Sequence, residues 1–295
     1  MDTFNFKNLG AAIYELRLKL NISQSELAKG ICSQSQISKI EKGVISPYID
    51  TLMNISKKLG VDQYYFINLI SKEHYEFIKD FKSSVRSMIK KKDYKEVRRL
   101  VNKYKKHPVM QNIEEQQFIK WHLGICAYYL ENDFNKSIQL LTETLEMDHT
   151  IHATEQNLHI LNSIAVIYSE IEIWEQSKKY YSKAWEVFHT SIYPMNIQIL
   201  IKLCYNLGKT LYKLALYDEA LVKIRKGIHS TKEAETNYLF GELFYQEGLV
   251  LIKLNMYEKA SISFNQAASV FSLVDKESFL KVANDKLNYC KKFLS

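Results

Sequence analysis

Residues 22–43 read ISQSELAKGICSQSQISKIEKG, and this stretch determines the architecture of the N-terminal part of the chain. Ser23 stands three residues before Glu26, which is the spacing of a capping box at the start of a helix. Ser33 can cap a second helix, and Gly43 is suited to end it. The stretch therefore predicts two short helices joined by a tight turn, the layout of a helix-turn-helix.

The second of these helices has an outward face of amides, serines and lysines without a carboxylate. Ile37 and Ile40 are three residues apart and face inward. Amide and lysine side chains can pair with base edges in a major groove, and helix N-termini can hold phosphates. The residues predicted to contact DNA are Gln24, Ser33, Gln34, Ser35, Gln36, Lys39 and Lys42. Among them, we expect Gln24 and Lys42 to hold phosphates.

The chain beyond residue 70 is self-similar, with a period close to 40 residues. Aromatic residues recur at spacings of 40, 40, 43 and 40, at Tyr94, Phe134, Trp174, Tyr217 and Tyr257. A mostly small residue follows each of them three positions later, and small residues let paired helices approach closely. The pattern resembles the tetratricopeptide (TPR) repeat, a helix pair that stacks into a superhelix. It predicts five degenerate repeats, closed by a capping helix over 277–293.

Composition supports a helical chain. The 295 residues include only 9 Gly and 3 Pro, too few for the turns of a sheet-rich fold, and 37 aromatic residues (20 Tyr, 14 Phe and 3 Trp) exclude a disordered chain. The four cysteines are widely separated, which argues against a disulfide framework or a structural zinc site. No signal peptide and no long apolar run are apparent, so we expect a cytoplasmic protein.

The net charge of +7 is concentrated in one segment. Residues 71–107 contain 13 Lys or Arg against 5 Asp or Glu, and the segments on either side are nearly balanced. Such a segment can bind phosphate or carboxylate groups. A solvated helix face has the same composition, so both interpretations stay open.

The N-terminal fragments Leu16-Arg17, Ile22 to Ala28 and Ile37 to Gly43 resemble the lambda-repressor-like (Xre-type) DNA-binding domain. This resemblance implies a structural ion pair between Arg17 and Glu41. Joined to the repeats, it makes the chain similar to the RRNPP family of peptide-sensing transcription regulators of Gram-positive bacteria, and to its PlcR-like members in particular. The fold that this implies is all-α, with a lambda-repressor-like helix-turn-helix domain followed by a right-handed TPR superhelix of five degenerate repeats.

The resemblance also implies partners. We expect a homodimer that binds double-stranded DNA at a pseudo-palindromic operator and a short signalling peptide in the groove of the repeats. Amide and aromatic side chains on the first helix of each repeat suit the backbone and side chains of an extended peptide. By resemblance, two lysines would receive a peptide carboxylate. The residues predicted to bind the peptide are Lys90, Lys92, Asn162, Tyr205, Asn206, Tyr245 and Gln246.

Three domains are predicted along the chain. Residues 1–70 form the helix-turn-helix domain, and residues 71–82 form a linker helix that runs into the first repeat. Residues 83–295 form the TPR-like domain for peptide sensing and dimerisation, which ends in the capping helix. The apolar side chains of the linker predict that it packs on a partner subunit.

The sequence contains no glycine-rich phosphate loop and no serine nucleophile elbow, so we predict that the protein is not an enzyme. The one metal-like group, Asp148 with His149, His152 and His159, does not have the spacing of a catalytic zinc site, so we predict no metal and no cofactor. An alternative function is an adaptor that recruits a protein partner to DNA without a peptide. A third, a phosphatase or phosphotransfer antagonist built on related repeats, conflicts with the intact recognition helix.

Overall fold

The structure is a computed structural model that describes residues 6–147, 154–191 and 194–294, without the side chains of residues 6–8, 63–64 and 67–75. Every regular element in the described residues is helical, with fifteen α-helices and a short 3₁₀ turn at Pro108–Met110. None of these helices is both long and apolar enough to span a lipid bilayer. The chain forms two compact units, of which the first ends at Asp93 and also includes the 3₁₀ turn.

The first unit contains the helix-turn-helix. Its helices are α1 (Phe6–Lys19), α2 (Gln24–Ala28), α3 (Gln34–Glu41), α4 (Ile49–Leu59) and α5 (Gln63–Lys90). Apolar side chains from all five helices are buried in one core, among them Ile13, Leu27, Ile37, Ile55 and Phe66. Both predicted N-caps are present, because the hydroxyls of Ser23 and Ser33 accept hydrogen bonds from backbone amides three residues later, at 3.1 Å and 3.2 Å. The predicted helix-turn-helix is confirmed.

Helix α5 is longer than the sequence pattern indicates. The pattern predicts a helix that ends at Ile70 and a separate linker helix over 71–82, whereas one helix runs from Gln63 to Lys90. The sequence contains no Gly or Pro from residue 61 to Lys90, so α5 continues past residue 70, and it ends just before Lys92, whose φ of 59° is left-handed. The limits of the three domains stay a prediction.

The second unit consists of helices that pack in consecutive pairs. They are α6 (Tyr94–Tyr104), α7 (Ile113–Glu131), α8 (Phe134–Glu146), α9 (Glu155–Glu170), α10 (Trp174–Thr190), α11 (Ile197–Lys213), α12 (Tyr217–Glu233), α13 (Phe240–Lys253), α14 (Tyr257–Leu273) and α15 (Glu277–Lys291). Helices α7 and α8, α9 and α10, α11 and α12, and α13 and α14 form hairpins, and α15 covers α14. The last helix is the predicted cap.

The 40-residue pattern marks helix starts. Each of the five periodic aromatic residues is the first residue of its helix, in α6, α8, α10, α12 and α14. The residue three positions later is completely buried in every case, at Val97, Ser137, Ser177, Ala220 and Ala260. The paired helices also pack closely at a glycine: a Cβ atom at Gly248 of α13 would lie 2.7 Å from the ring of Phe264 of α14. The predicted helical repeats are confirmed.

Candidate functional site

The outward face of α3 is a polar surface open to solvent. Ile37 and Ile40 are buried in the core of the first unit, while Gln34, Ser35, Gln36 and Lys39 are exposed. Lys42 follows the last residue of α3 and is also exposed. The helix therefore presents amide, hydroxyl and ammonium groups on one face, as the sequence predicts.

A hydrogen-bond network connects this face to a buried ion pair. The guanidinium of Arg17 donates to both carboxylate oxygens of Glu41, from Nε at 2.6 Å and from Nη2 at 3.0 Å. The hydrogen bond with Glu41 raises the pKa of Arg17. The Nε2 group of Gln24 donates to Glu41 at 2.8 Å, and Gln34 Nε2 donates to Gln24 Oε1 at 2.6 Å. The orientation of Gln34 thus depends on Gln24, Glu41 and Arg17.

This network changes the interpretation of Gln24. We predict from sequence that Gln24 holds a phosphate. Its Oε1 atom and one N–H of its Nε2 group bond to protein groups, and the second N–H remains for a phosphate, so this role stays a prediction. Gln34, by contrast, keeps its Oε1 and one N–H for an outside partner. An amide that offers one acceptor and one donor can pair bidentately with adenine. Gln24 therefore fixes the orientation of the Gln34 amide, and part of its own side chain is exposed to solvent.

The first turn of α3 uses part of its polar surface to cap the helix. The Gln36 Oε1 atom accepts from the backbone N–H of Ser33 at 3.1 Å, and the hydroxyl groups of Ser33 and Ser35 lie 3.0 Å apart. Since Gln36 completes this capping box, only its Nε2 group remains for a base. Its predicted base contact competes with a local structural role, which the spacing of Ser33 and Gln36 could have indicated, since it is the capping-box spacing of Ser23 and Glu26.

In the second unit, two predicted peptide contacts form an amide pair. Asn206 Nδ2 on α11 donates to Asn162 Oδ1 on α9 at 2.9 Å, and both side chains are half-buried. Among the described residues, the Nδ2 group of Asn162 and the Oδ1 atom of Asn206 make no further hydrogen bond. The pair therefore offers one donor group and one acceptor between neighbouring hairpins, the two groups that a peptide backbone needs.

The second unit contains a pocket of about 440 Å³. Residues of α11, α13, α14 and α15 line it, namely Tyr205, Lys209, Glu242, Tyr245, Gln246, Leu249, Phe271, Ser278, Phe279 and Val282. Burial raises the pKa of Tyr205 and of Tyr245, so both phenols stay neutral donors near pH 7. Three of the predicted peptide contacts, Tyr205, Tyr245 and Gln246, therefore meet at one concave and mainly apolar site.

Gln246 has an unsatisfied donor in this pocket. Its side chain is buried, and its Nε2 group donates to no other atom of the described residues. A buried amide donor without a partner costs about 1–3 kcal/mol. A bound carbonyl or carboxylate oxygen would satisfy it, which fits the predicted role of Gln246.

One wall of the pocket comes from a helix that the repeat pattern does not assign to the site. Ser278, Phe279 and Val282 come from α15, which the repeat pattern identifies only as a cap. Phe279 is 49% exposed and Val282 is 45% exposed, so the cap presents apolar surface to the pocket opening. The spacing of Phe279 and Val282, three residues apart, is the signal that could have indicated this second role.

The two predicted lysine contacts belong to the other unit. Lys90 is the last residue of α5, Lys92 follows with a φ of 59°, and both are exposed. The first compact unit includes both lysines, whereas the other five predicted peptide contacts are in the second. Neither unit by itself brings the two groups together, so their joint role stays a prediction.

The metal-like group of the sequence is only partly described. Asp148, His149 and His152 lie outside the described residues. The ring of His159 stacks on Trp121, with ring centroids 5.8 Å apart. Within the described part of the chain, no group of three or more His, Cys, Asp or Glu side chains could hold a metal ion.

Two family models match the chain. The model of the RNPP family C-terminal domain matches residues 82–291, and a helix-turn-helix model matches residues 13–65. No curated protein matches the sequence.

Solved structures share the fold over nearly the whole chain. Bacillus thuringiensis PlcR in complex with the peptide PapR7 and DNA is 29% identical, with a TM-score of 0.76 over 94% of this chain and 99% of that chain. The apo form of the same protein is 27% identical, with a TM-score of 0.69 over 95% and 99% of the two chains. ComR from S. thermophilus, in complex with DNA and its signalling peptide ComS, is 14% identical, with a TM-score of 0.60 over 96% and 99%, a likeness of fold alone.

These comparisons confirm the fold that the sequence predicts, a helix-turn-helix followed by helical repeats. The model of the C-terminal domain also covers most of the chain, from the last third of α5 to the end of α15. The protein is a member of the RNPP family.

Proposed function

We propose that the protein is a DNA-binding transcription regulator whose helical repeats bind a short signalling peptide. The observation that carries this proposal is the presence, in one chain, of a solvent-facing recognition helix and a concave pocket with an unsatisfied amide donor. A relative at 29% identity, matched over 99% of its own chain, has been solved in complex with a peptide and DNA. We propose that the protein is not an enzyme. We also propose that it acts in the cytoplasm, where bacterial genes are regulated.

DNA binding would use α3 in a major groove. In this proposal Gln34, Ser35, Gln36 and Lys39 reach base edges, while Gln24 and Lys42 hold phosphates and Ser33 also contacts the DNA. A single helix-turn-helix covers little DNA, and such modules commonly act as dimers on two half-sites. We therefore propose a homodimer on a pseudo-palindromic operator.

Gln34 is expected to determine the preference for one base in each half-site. The Gln34→Ala variant should bind its preferred DNA more weakly by about 1–3 kcal/mol per contact, with relaxed selection at that base, because a bidentate amide contact is lost. Selection of sites from a random DNA library measures both effects. Lys42→Ala is the matched control, since loss of a phosphate contact weakens binding to all sequences alike. An unchanged base preference in Gln34→Ala would show that another residue reads this position.

Peptide binding would use the surface formed by α9, α11, α13 and α15. Asn162 and Asn206 bond to each other and keep one donor group and one acceptor for a peptide backbone. Tyr205 and Tyr245 flank the apolar pocket, and Gln246 supplies its buried donor. A pocket of this size can enclose one or two large apolar side chains.

Lys90 and Lys92 are proposed to receive a carboxylate of the peptide. Replacing both with alanine should weaken peptide binding by about 1–3 kcal/mol, the range of a charge-assisted contact, and leave peptide-free DNA binding unchanged. Calorimetry with the peptide measures the first effect, and DNA titrations at several salt concentrations measure the second. Lys91→Ala is the control from the same run. If the lysines serve DNA instead, the double variant binds DNA more weakly with a shallower salt dependence.

One set of measurements on the full-length protein tests the whole proposal. Mass spectrometry of small molecules that co-purify with the protein should identify a peptide, and adding that peptide should change the affinity for the selected DNA. Light scattering should give the mass of a dimer on that DNA. A co-purifying protein in place of a peptide, together with DNA binding, would favour the adaptor function.

A further inference from the structure

Lys202 is a half-buried lysine on α11 without a charged partner. It lines a narrow cleft between α9, α10 and α11, beside Leu158 and Asn162. Among the described residues, no carboxylate lies within 4.0 Å of its ammonium group, and it donates no hydrogen bond to protein. Burial lowers the pKa of Lys202, and no neighbouring charge offsets this effect. The cleft therefore contains a cation that the protein itself does not neutralise.

The groups around this cation are donors for an anion. Asn162 lines the same cleft, and its Oδ1 atom is occupied by Asn206, which fixes the orientation of the amide. Among the described residues, the Nδ2 group of Asn162 bonds to no other atom, so it is available as a donor in the cleft that Lys202 also lines. The rest of the lining contains apolar residues and His159, and no Asp or Glu. An ammonium and an amide donor that line one cleft match the two oxygens of a carboxylate.

We propose that Lys202 and Asn162 form a second carboxylate site, separate from Lys90 and Lys92, which receives either the C-terminus or an acidic side chain of the bound peptide. The Nδ2 group of Asn162 then binds this carboxylate instead of a backbone carbonyl of the peptide. This inference rests on the proposed function, because it concerns the same groove. Lys202 lies one turn before Asn206 on α11, and Tyr205 on that helix lines the large pocket. A peptide anchored at Lys202 would therefore extend along α11 towards the pocket.

The unpaired charge has a consequence that can be measured without any ligand. A half-buried ammonium without a partner destabilises the folded state, and a neutral side chain of similar length removes that cost. Lys202→Met should therefore raise the unfolding temperature of the peptide-free protein by about 2–4 °C. Lys226→Met on α12 changes an exposed lysine and should leave it unchanged. If Lys202 instead stabilised the folded state, Lys202→Met would lower the unfolding temperature, which would contradict this inference.

Affinity selection with synthetic peptides tests the ligand. Pools of short random peptides are prepared with a free or an amidated C-terminus, each with and without Asp and Glu, and are incubated with the full-length protein. Wild type and Lys226→Met should retain peptides that carry a carboxylate. Lys202→Met should retain these peptides at least about tenfold less, and Lys202→Arg should keep part of the binding because its charge remains.

The pools also identify the source of the carboxylate. Loss of retention on amidation identifies the C-terminus, and loss of retention without Asp and Glu identifies an acidic side chain. Equal retention by wild type and Lys202→Met, or equal retention of peptides without any carboxylate, would overturn this inference and leave peptide binding intact. Retention of no peptide by wild type would contradict the proposed function itself, and this inference with it.

Discussion

Replacing Glu41 with alanine is expected to destabilise the helix-turn-helix by about 3–5 kcal/mol, because it leaves the buried guanidinium of Arg17 without its counter-charge. The Arg17 side chain is only 8% exposed and the Glu41 side chain 3%. Hydrogen exchange of the amides in α1 to α4 measures this local stability in the full-length protein. Glu15→Ala removes an exposed carboxylate from α1 and is the control. Unchanged exchange in Glu41→Ala would contradict a stabilising role of the ion pair.

A second variant separates stability from the orientation of Gln34. Replacing Arg17 with Met and Glu41 with Leu together removes both charges, and such replacements are often neutral or stabilising. The double variant should therefore fold, but Gln24 would lose the carboxylate that holds its amide. We expect relaxed selection at the base that Gln34 contacts. If base selection stays as sharp as in wild type, the network does not position Gln34.

Phe271→Ala is expected to destabilise the end of the repeat array by about 3–5 kcal/mol, the usual loss when a large buried side chain is truncated. Phe271 is 1% exposed, and a Cβ atom at its neighbour Gly241 would lie only 2.6 Å from its ring. Hydrogen exchange in α13 and α14 measures the effect. Phe271→Leu keeps most of the apolar volume, so its loss should be less than half as large. Protection equal to that of wild type would show that the surrounding side chains refill the space.

The same substitution should alter ligand selection, since the ring of Phe271 also lines the pocket. Removing it adds space at the pocket floor, so we expect peptides with larger apolar side chains to be retained in preference. Phe271→Leu should show a smaller change in the same direction. An unchanged selection by both variants would mean that peptide side chains do not reach this part of the pocket.

The fold could be predicted from sequence where its signals are local. A helix pair needs a small residue where the two backbones approach, and Tyr257 with Ala260 shows this requirement within one turn. The end of the helix-turn-helix domain had no such signal. The boundary predicted at residue 70 falls in a segment without Gly or Pro, where α5 continues to Lys90.

The site could be predicted less completely, because its contacts join distant parts of the chain. The polar face of α3 follows from helical spacing, yet the bond from Gln24 to Glu41 joins two helices across 17 positions. Charge patterning drew attention to the run at Lys90, which is exposed. Lys202 is a single lysine within an apolar segment, so charge patterning gives no signal for it. Only the packing of α9 against α11 shows that Lys202 is half-buried and lines the same cleft as Asn162.

The position of α15 links the end of the chain to the pocket. This helix packs on α14 and at the same time supplies Phe279 and Val282 to the pocket wall. Any molecule that fills the pocket must therefore favour the docked state of α15, since binding stabilises the state that binds. The occupancy of the pocket and the resistance of α15 to proteases then depend on the same docking equilibrium of α15. A protease that cleaves within α15 would digest the empty protein faster than the loaded one, and the rate of digestion would measure the occupancy of the pocket.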